Sequence, residues 1–533
     1  MKKNILALFI VSLVFTGCDN FLDKTDPTAT SFDQFYNDEE DLRRVCYSSY
    51  VDVFASALRQ MTFWNQEGKS DNAYSRVESD YHQSVANGNL NSNTTAVQYY
   101  YKLHMKHLGR LNVFIDNVDL PYVEDEAVRA KYKGVLESLR VWHYFILTSR
   151  WGDVPFLLHQ ANLEDALQPV TPKEEILDSL FVIVERVKNE LPQEQYETNK
   201  YMFNGLSLRS LAMRYALYNG RYELAIKYAR EIIDAGYYEL YPNYGDLFQY
   251  AACSNNKEFI MHQDKDANSS RYSFRDLAPQ FRTGGGQSYC VPLKALVDSY
   301  WTLQGNSIDE CPLHSKEEYE LNPKLNRDPR YSVSIMGHGD LFYGEELDIY
   351  NTNALTYYTN TRASRSGYWF RKFVSDNDAF NSGGSTTLEY ANLRYAEVLL
   401  SLAEAKIMLN EIDDEVKSCI NQIRTRAGLD MSEADVTLPK YSSYTQEQWI
   451  KLIRNERRIE LAGEGQRYDD IIRWKIADTV LNEPAEGHTR LVDGKIETLK
   501  IEDRKFDASC NYLWPFHESC LNVEPNLVQN PGY

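Results

Sequence analysis

Residues 204–240, NGLSLRSLAMRYALYNGRYELAIKYAREIIDAGYYEL, read as two amphipathic helices flanking Asn219-Gly220, with Ala212, Ala216, Ala225 and Ala229 where helices can approach closely. A helix pair of this kind buries its apolar faces only against further pairs, so the segment commits the chain to a stacked helical array. The pattern recurs at 388–410, where Ala396, Leu399, Leu400, Ala403 and Ile407 share one face, and again at 413–429, ended by Gly428. Earlier in the chain, 39–57, 95–118 and 126–155 carry helical periodicity, and Trp151-Gly152-Asp153-Val154-Pro155 ends the last of them. Residues 171–192 form a bounded helix, with Thr171 as N-cap, Pro172 at N1, Glu174 at N3 and a stop at Pro192.

The 204–240 unit resembles a tetratricopeptide repeat. Two stretches break the helical texture: 60–94, and 241–387 with "RTGGGQSYC", "LQGNSIDECP", "LNRDPRYS" and "NSGGSTT". Long irregular insertions in a helical protein usually build a binding surface. The hydrophobic fraction, 43% of 533 residues, supplies a large core, and the formal charge of -20 argues against nucleic acid, which needs clustered Lys and Arg.

At the start of the chain, Lys2 and Lys3 precede an apolar run, Ile5 to Phe15, too short to span a bilayer. Phe15-Thr16-Gly17-Cys18 resembles the lipobox of bacterial lipoproteins, with Phe15 in place of the usual leucine. Residues 1–17 are thus expected to be a lipoprotein signal peptide, Cys18 a lipidated residue, 18–37 a tether and 38–533 a single body, with its helical scaffold mainly at 95–240 and 388–476. Acyl chains contribute about 0.8 kcal/mol per buried CH₂, enough to hold a protein that has no spanning helix. Beyond Cys18 the chain has seven cysteines, Cys46, Cys253, Cys290, Cys311, Cys419, Cys510 and Cys520, with no CxxC pair, which favours buried thiols over a zinc or redox site.

The densest charged motif is 444–474, YTQEQWIKLIRNERRIELAGEGQRYDDIIRW, with Thr445 and Gln448 as a capping box and Trp449, Leu452 and Ile453 facing inward. Glu456, Glu460 and Glu464 at i, i+4, i+8 share a face. Two of them could serve as the acid and base of a glycosidase. The alternative pairs them with Arg454, Arg457, Arg458 and Arg467 in a structural network, and it is preferred because neighbouring arginine holds every carboxylate ionised. His104 and His107 at i, i+3 lack a third metal ligand, and "RTGGGQ" lacks the lysine of a P-loop. With no nucleophile elbow and no HExxH, the sequence makes no case for an enzyme, a cofactor or a metal.

These residues resemble the SusD/RagB family of surface lipoproteins of Bacteroidetes-type bacteria. "NERRIELAGEGQRYDDIIRW" is similar to the family's ERRxELAFEGxRxxDLxRW, and "YLWPFHESCLNVEPNLVQNPGY" to its LxPIPxxEIxxNPxLxQNPGY ending. "YANLRYAEVLLSLAEAKIMLN", "INQIRTRAGL", "GYWFRKF" and "CDNFLDKTDP" support the likeness. Gly463 stands where an aromatic is usual, Phe516-His517 replaces Ile-Pro, and Cys520 and Val523-Glu524 depart from the tail pattern.

The resemblance implies a mostly α fold, with about four tetratricopeptide-like helix pairs as scaffold and a loop-rich ligand face. It implies non-enzymatic binding of oligo- or polysaccharide and delivery to a SusC-like TonB-dependent outer-membrane transporter, the helical side commonly docking on that partner. Peptide binding or a purely structural lid is the alternative, and a glycoside hydrolase a distant one. The chain would be lipid-anchored in the outer membrane, facing outward. Trp64, Tyr74 and Tyr81, with Asn65, Asp71, Asn72 and Arg76, lie in the irregular segment that contributes to the ligand face in similar proteins, and Tyr272, Tyr289 and Trp301 lie in the loop-rich middle. A ring stacked on a pyranose buries its C–H face while Asp, Asn and Arg bond the hydroxyls. The closing "NLVQNPGY" is expected to seal the body, its prolines fixing an extended tail.

Overall fold

The computed structural model describes residues 38–51, 66–76, 81–119, 123–165, 168–196, 202–253, 256–263, 274–280, 285–380, 386–429 and 443–533. Residues 1–37, which hold the expected signal peptide, Cys18 and the expected tether, lie outside the described residues, as do Trp64, Asn65 and Tyr272.

Among the described residues, ten helices carry the scaffold: α1 (Glu39–Val51), α2 (Thr95–Asp116), α3 (Glu126–Trp151), α4 (Lys173–Glu190), α5 (Gly205–Tyr218), α6 (Tyr222–Ala235), α7 (Tyr395–Met408), α8 (Asp414–Arg426), α9 (Gln446–Glu460) and α10 (Arg467–Arg473). Each of α2 to α7 packs on the next, α1 adds to α3, and α9 packs on α7. The array jumps from α6 to α7 across the whole loop-rich middle, so distant parts of the sequence share one helical core. No helix among the described residues is long and apolar enough to cross a membrane.

The helix ends follow local chemistry. Asp125 accepts from the Ala127 N–H at 2.8 Å to start α3, and Asn204 with Ser207 forms a reciprocal capping box on α5. Thr445 and Gln448 form the expected box on α9. For α4 the expectation shifts by one residue: Pro172 is the cap position, and Asp153, from the turn after α3, accepts from the Lys173 N–H at 2.8 Å. The 388–410 stretch is not helical throughout. Tyr390–Arg394 is a strand, β6, paired antiparallel with β2 (Phe259–Gln263), and the helix starts at Tyr395. Moreover α7 is buried on every side from Tyr395 to Ile407, as the central member of an array must be.

The loop-rich middle is held by short antiparallel pairs around a second hydrophobic cluster: β1 (Ala73–Ser75) with β3 (Cys290–Pro292), and β4 (Ile335–Met336) with β5 (Trp369–Phe370). A hairpin not anticipated from sequence, β7 (Ala485–Val492) with β8 (Lys495–Glu502), turns through Asp493-Gly494, both at positive φ, as a tight hairpin requires. Helix α9 lies between the two clusters. Its Trp449, Leu452 and Ile453 belong to the helical core and its Ile459 to the loop-side core.

All seven described cysteines are free thiols, five of them buried. His104 and His107 join His143 in the core. The Nδ1 atoms of His104 and His143 lie 2.8 Å apart, and burial pushes His104 down to about 3, which keeps its ring neutral. Among the described residues no group of three or more His, Cys, Asp or Glu side chains is placed to hold a metal.

Candidate functional site

Of the carboxylates that could have formed a catalytic pair, Glu456 and Glu460 are fully buried and the Glu464 side chain is nearly so. Glu456 meets Arg330 at 2.6 Å and Arg424 at 2.9 Å; Glu460 meets Arg330 at 3.1 Å and Arg394 at 2.9 Å, and also pairs with Arg426. Glu464 meets Arg394 at 2.7 Å and Lys372 at 2.9 Å, while Glu258 and Asp328 complete the cluster on Arg394, Arg426 and Arg330. Glu258, Asp328, Glu456, Glu460 and Glu464 therefore balance Lys372, Arg330, Arg394, Arg424 and Arg426. Burial alone would raise the Glu460 pKa, but Arg426, Arg394 and Arg330 hold it well below the usual carboxylate range. A permanently ionised, enclosed carboxylate donates no proton to a glycosidic oxygen.

The network reading stands, with different partners. Successive residues on a helix point about 100° apart, so Arg457 and Arg458 leave the face of Glu456 and Glu460. Arg457 instead meets Asp470 at 3.2 Å and Glu404 at 3.3 Å, and Arg454 lies 4.9 Å over the Trp474 ring. Gly463 sits at φ +75, and a Cβ there would lie 3.0 Å from Cδ1 of Phe370. The Phe370 ring thus packs directly against the backbone of Gly463. Gly463→Ala is expected to lower unfolding free energy by about 1–2 kcal/mol through left-handed strain, read by urea denaturation.

A different region has the exposure that ligand capture needs. Strand β1 pairs Tyr74 with Val291, and the Arg76 N–H donates to the Tyr289 carbonyl at 2.7 Å. The Arg76 guanidinium lies 5.2 Å over the Tyr289 ring and donates to the carbonyls of Gln287, at 2.5 Å, and Thr361. Tyr74, Arg76 and Tyr289, all half-buried, are thereby brought together, and Arg76 ties them to the loop 350–366.

That loop carries a ring cluster that sequence reasoning missed. Tyr357 and Tyr358 have centroids 5.1 Å apart, Tyr358 and Tyr350 6.4 Å, and Tyr350 and the exposed His338 5.2 Å. All three tyrosines are half-buried. Tyr350 Oη lies 2.6 Å from Nδ1 of His488, and Arg490 lies 4.5 Å over the Tyr350 ring. Burial, reinforced by His338 and Arg490, pushes His488 down to about 4, so Tyr350 is anchored to a neutral imidazole. Strand β7 delivers His488 by close backbone approach: a Cβ on Gly487 would fall 2.4 Å from the Ser366 carbonyl oxygen, so only glycine fits. The signal available in the sequence was "DIYNTNALTYYTNTRAS", tyrosines among Asn and Thr in an irregular stretch.

The other anticipated residues fall elsewhere. Asp71 is buried between Arg458 and Arg467, at 2.8 Å from each, and Asn72 is buried between Glu67, at 2.6 Å, and Arg458, at 2.8 Å. Both therefore have their polar atoms engaged by partners inside the protein, as structural ties between this segment and Arg458 and Arg467. Trp301 is half-buried against the helical core. Tyr81 opens a short helix, Tyr81–Ala86, and its side chain lies outside the described residues.

Among known proteins, the chain is similar to SusD-like protein P38 of Formosa agariphila, 25% identical over the whole of both chains. Its fold matches a SusD-like carbohydrate binding protein from Bacteroides fragilis with a TM-score of 0.81 at 24% identity, over 93% of this chain and 100% of that one. It also matches a laminarin binding SusD-like protein, with a TM-score of 0.67 at 19% identity, over 93% of this chain and 99% of that one. A sequence model of the SusD family matches residues 257–533, more than half of the chain, and the chain belongs to that family.

Proposed function

We propose that this protein binds oligo- or polysaccharide without transforming it and passes the load to a SusC-like TonB-dependent transporter, held at the outer membrane by a lipidated Cys18 and facing outward. The observation that carries the reading is the half-buried cluster of edge-to-face rings Tyr350, Tyr357 and Tyr358, contiguous through Thr361 with Arg76, Tyr289 and Tyr74. Half-buried rings fixed by ring and hydrogen-bond contacts offer flat apolar faces at little entropic cost, which suits the C–H faces of sugars. Two structural relatives are described as carbohydrate binding and laminarin binding, which supports the same ligand class. The burial of Glu456 and Glu460, and the pairing of Glu456, Glu460 and Glu464 with arginine, support capture over hydrolysis. Modest affinity suffices, since a tethered partner raises the effective concentration.

Replacing Tyr358 by Ala is expected to weaken binding of the cognate glycan roughly tenfold, equivalent to about 1.4 kcal/mol, with an unchanged melting temperature. Calorimetric titration against a polysaccharide panel reads this directly. Unchanged affinity would take Tyr358 out of the site, and uptake of peptides with silence across the glycans would favour the peptide-binding alternative.

A further inference from the structure

The chain carries 77 acidic against 57 basic residues, so carboxylates are in excess and guanidiniums ordinarily find one. The buried arginines do: Arg330, Arg394, Arg424, Arg426, Arg457 and Arg467 all meet carboxylates. The ligand face is different. Arg362 and Arg365, exposed on the loop that also bears Tyr357 and Tyr358, meet no carboxylate among the described residues. Beside them, Arg76 spends its Nη atoms on two backbone carbonyls, and its buried Nε has no acceptor among the described residues. Carbonyl dipoles do not cancel a unit charge. Arg76 donates to the carbonyl of Thr361, the residue before Arg362, so the guanidiniums share one loop; burial lowers the Arg76 pKa, and the like charges of Arg365 and Arg362 act in the same direction against Tyr289 and Tyr74. Arg490 is excluded from this group because it already pairs with Glu497 at 3.5 Å.

Clustered like charges on a surface are unfavourable unless a counter-charge arrives. A guanidinium fork matches carboxylate and sulfate oxygens two at a time, and exposed arginines are free to reorient onto them. A neutral glycan would gain nothing from this arrangement that Asn or Thr could not supply.

Resting on the capture reading above, we infer that the ligand is an acidic polysaccharide, its carboxylate or sulfate groups taken by Arg362 and Arg365 while its ring faces stack on Tyr357 and Tyr358. Arg76 adds positive charge behind them that meets no carboxylate among the described residues, and it fixes the loop.

The test is calorimetric titration of the full chain, wild type, Arg362→Gln/Arg365→Gln and Tyr358→Ala, against polygalacturonate, carrageenan, laminarin and dextran. The expected result is binding to an acidic polymer that weakens as sodium chloride is raised and falls by about tenfold or more in the arginine variant, with an unchanged melting temperature. Polygalacturonate alone would assign the carboxylate, and carrageenan alone the sulfate. Binding to laminarin or dextran that depends on Tyr358 and ignores the arginine pair would overturn the inference and leave the capture reading intact. Acidic-polymer binding indifferent to the arginine pair would also overturn it. Silence of the wild type toward every polymer would remove both.

Discussion

Glu460→Ala is expected to lower the free energy of unfolding by about 3–5 kcal/mol, a large part of the stability of an ordinary domain. The loss arises less from the missing attraction than from what remains: Arg330, Arg394 and Arg426 are left in an enclosed site with fewer carboxylates than positive charges. Glu460→Gln should fail almost as badly, since the amide keeps the shape and not the charge. Urea denaturation of the purified variants measures both, and a loss under about 1 kcal/mol would show the cluster to be solvated in a way its burial does not suggest. The pH dependence follows from the same geometry. Glu460 and Glu464 are held below their ordinary value of 4.5, so the stability they contribute is fully present above that pH and is lost as pH falls through the native values. Melts at neutral pH and near pH 4 should therefore diverge more in the wild type than in Glu460→Ala. A glycosidase would behave otherwise, with a folded but inert Gln variant.

The helical scaffold was legible because each helix announces itself locally. Apolar spacing, the Thr445-Gln448 box and Gly428 lie within one turn of what they specify. The start of α4 was misplaced by one residue because its cap comes from Asp153, outside the local window. The strand Tyr390–Arg394 was hidden inside a helical pattern because its partner, Phe259–Gln263, is more than a hundred residues away. Periodicity carries no information about such pairing.

The charged motif shows the same division. Its identity as a network could be read from its arginine content, yet the partners of Glu456 and Glu460 come from Arg330, Arg394, Arg424 and Arg426, which only the fold brings in. The ligand face was the least legible part. Asp71 and Asn72 look like ligand groups because they are polar in an irregular stretch, but Arg458 and Arg467 reach them from the far end of the chain. Tyr74, Arg76 and Tyr289 do meet, joined by β1 and β3. The Tyr350–Tyr358 ring cluster went unseen because half-burial of a loop tyrosine depends on what packs beneath it, here His488 of a hairpin well over a hundred residues later.

Trp514→Ala is expected to cost about 3–5 kcal/mol, comparable to other large-to-small changes at fully packed aromatic sites. Trp514 is 3% exposed; its ring lies 5.5 Å from Trp151 at a steep angle and 6.5 Å from Tyr100, and its Nε1–H donates to Tyr468 Oη at 3.0 Å. It thereby joins α2 and α3 of the first half of the chain to α10 of the second. The tail behind it is fastened by amides more than by its prolines: Asn530 Nδ2 donates to the carbonyls of Trp151, at 3.0 Å, and Trp514, at 2.7 Å, while Gln529 exchanges two hydrogen bonds of 2.8 Å with the Phe516 backbone. Those bonds depend on Trp514 holding the segment in register. The variant should thus release residues 511–533 to proteolysis before the body unfolds, whereas Trp514→Phe, which keeps the packing and loses one hydrogen bond, should retain the tail at a cost of about 1 kcal/mol. Limited proteolysis beside urea denaturation separates the two effects. If Trp514→Ala leaves the tail protected, the amide contacts suffice by themselves and the indole is filler; if the tail is cut and the body stays folded, the C-terminal segment is a clasp closed over an array that folds without it.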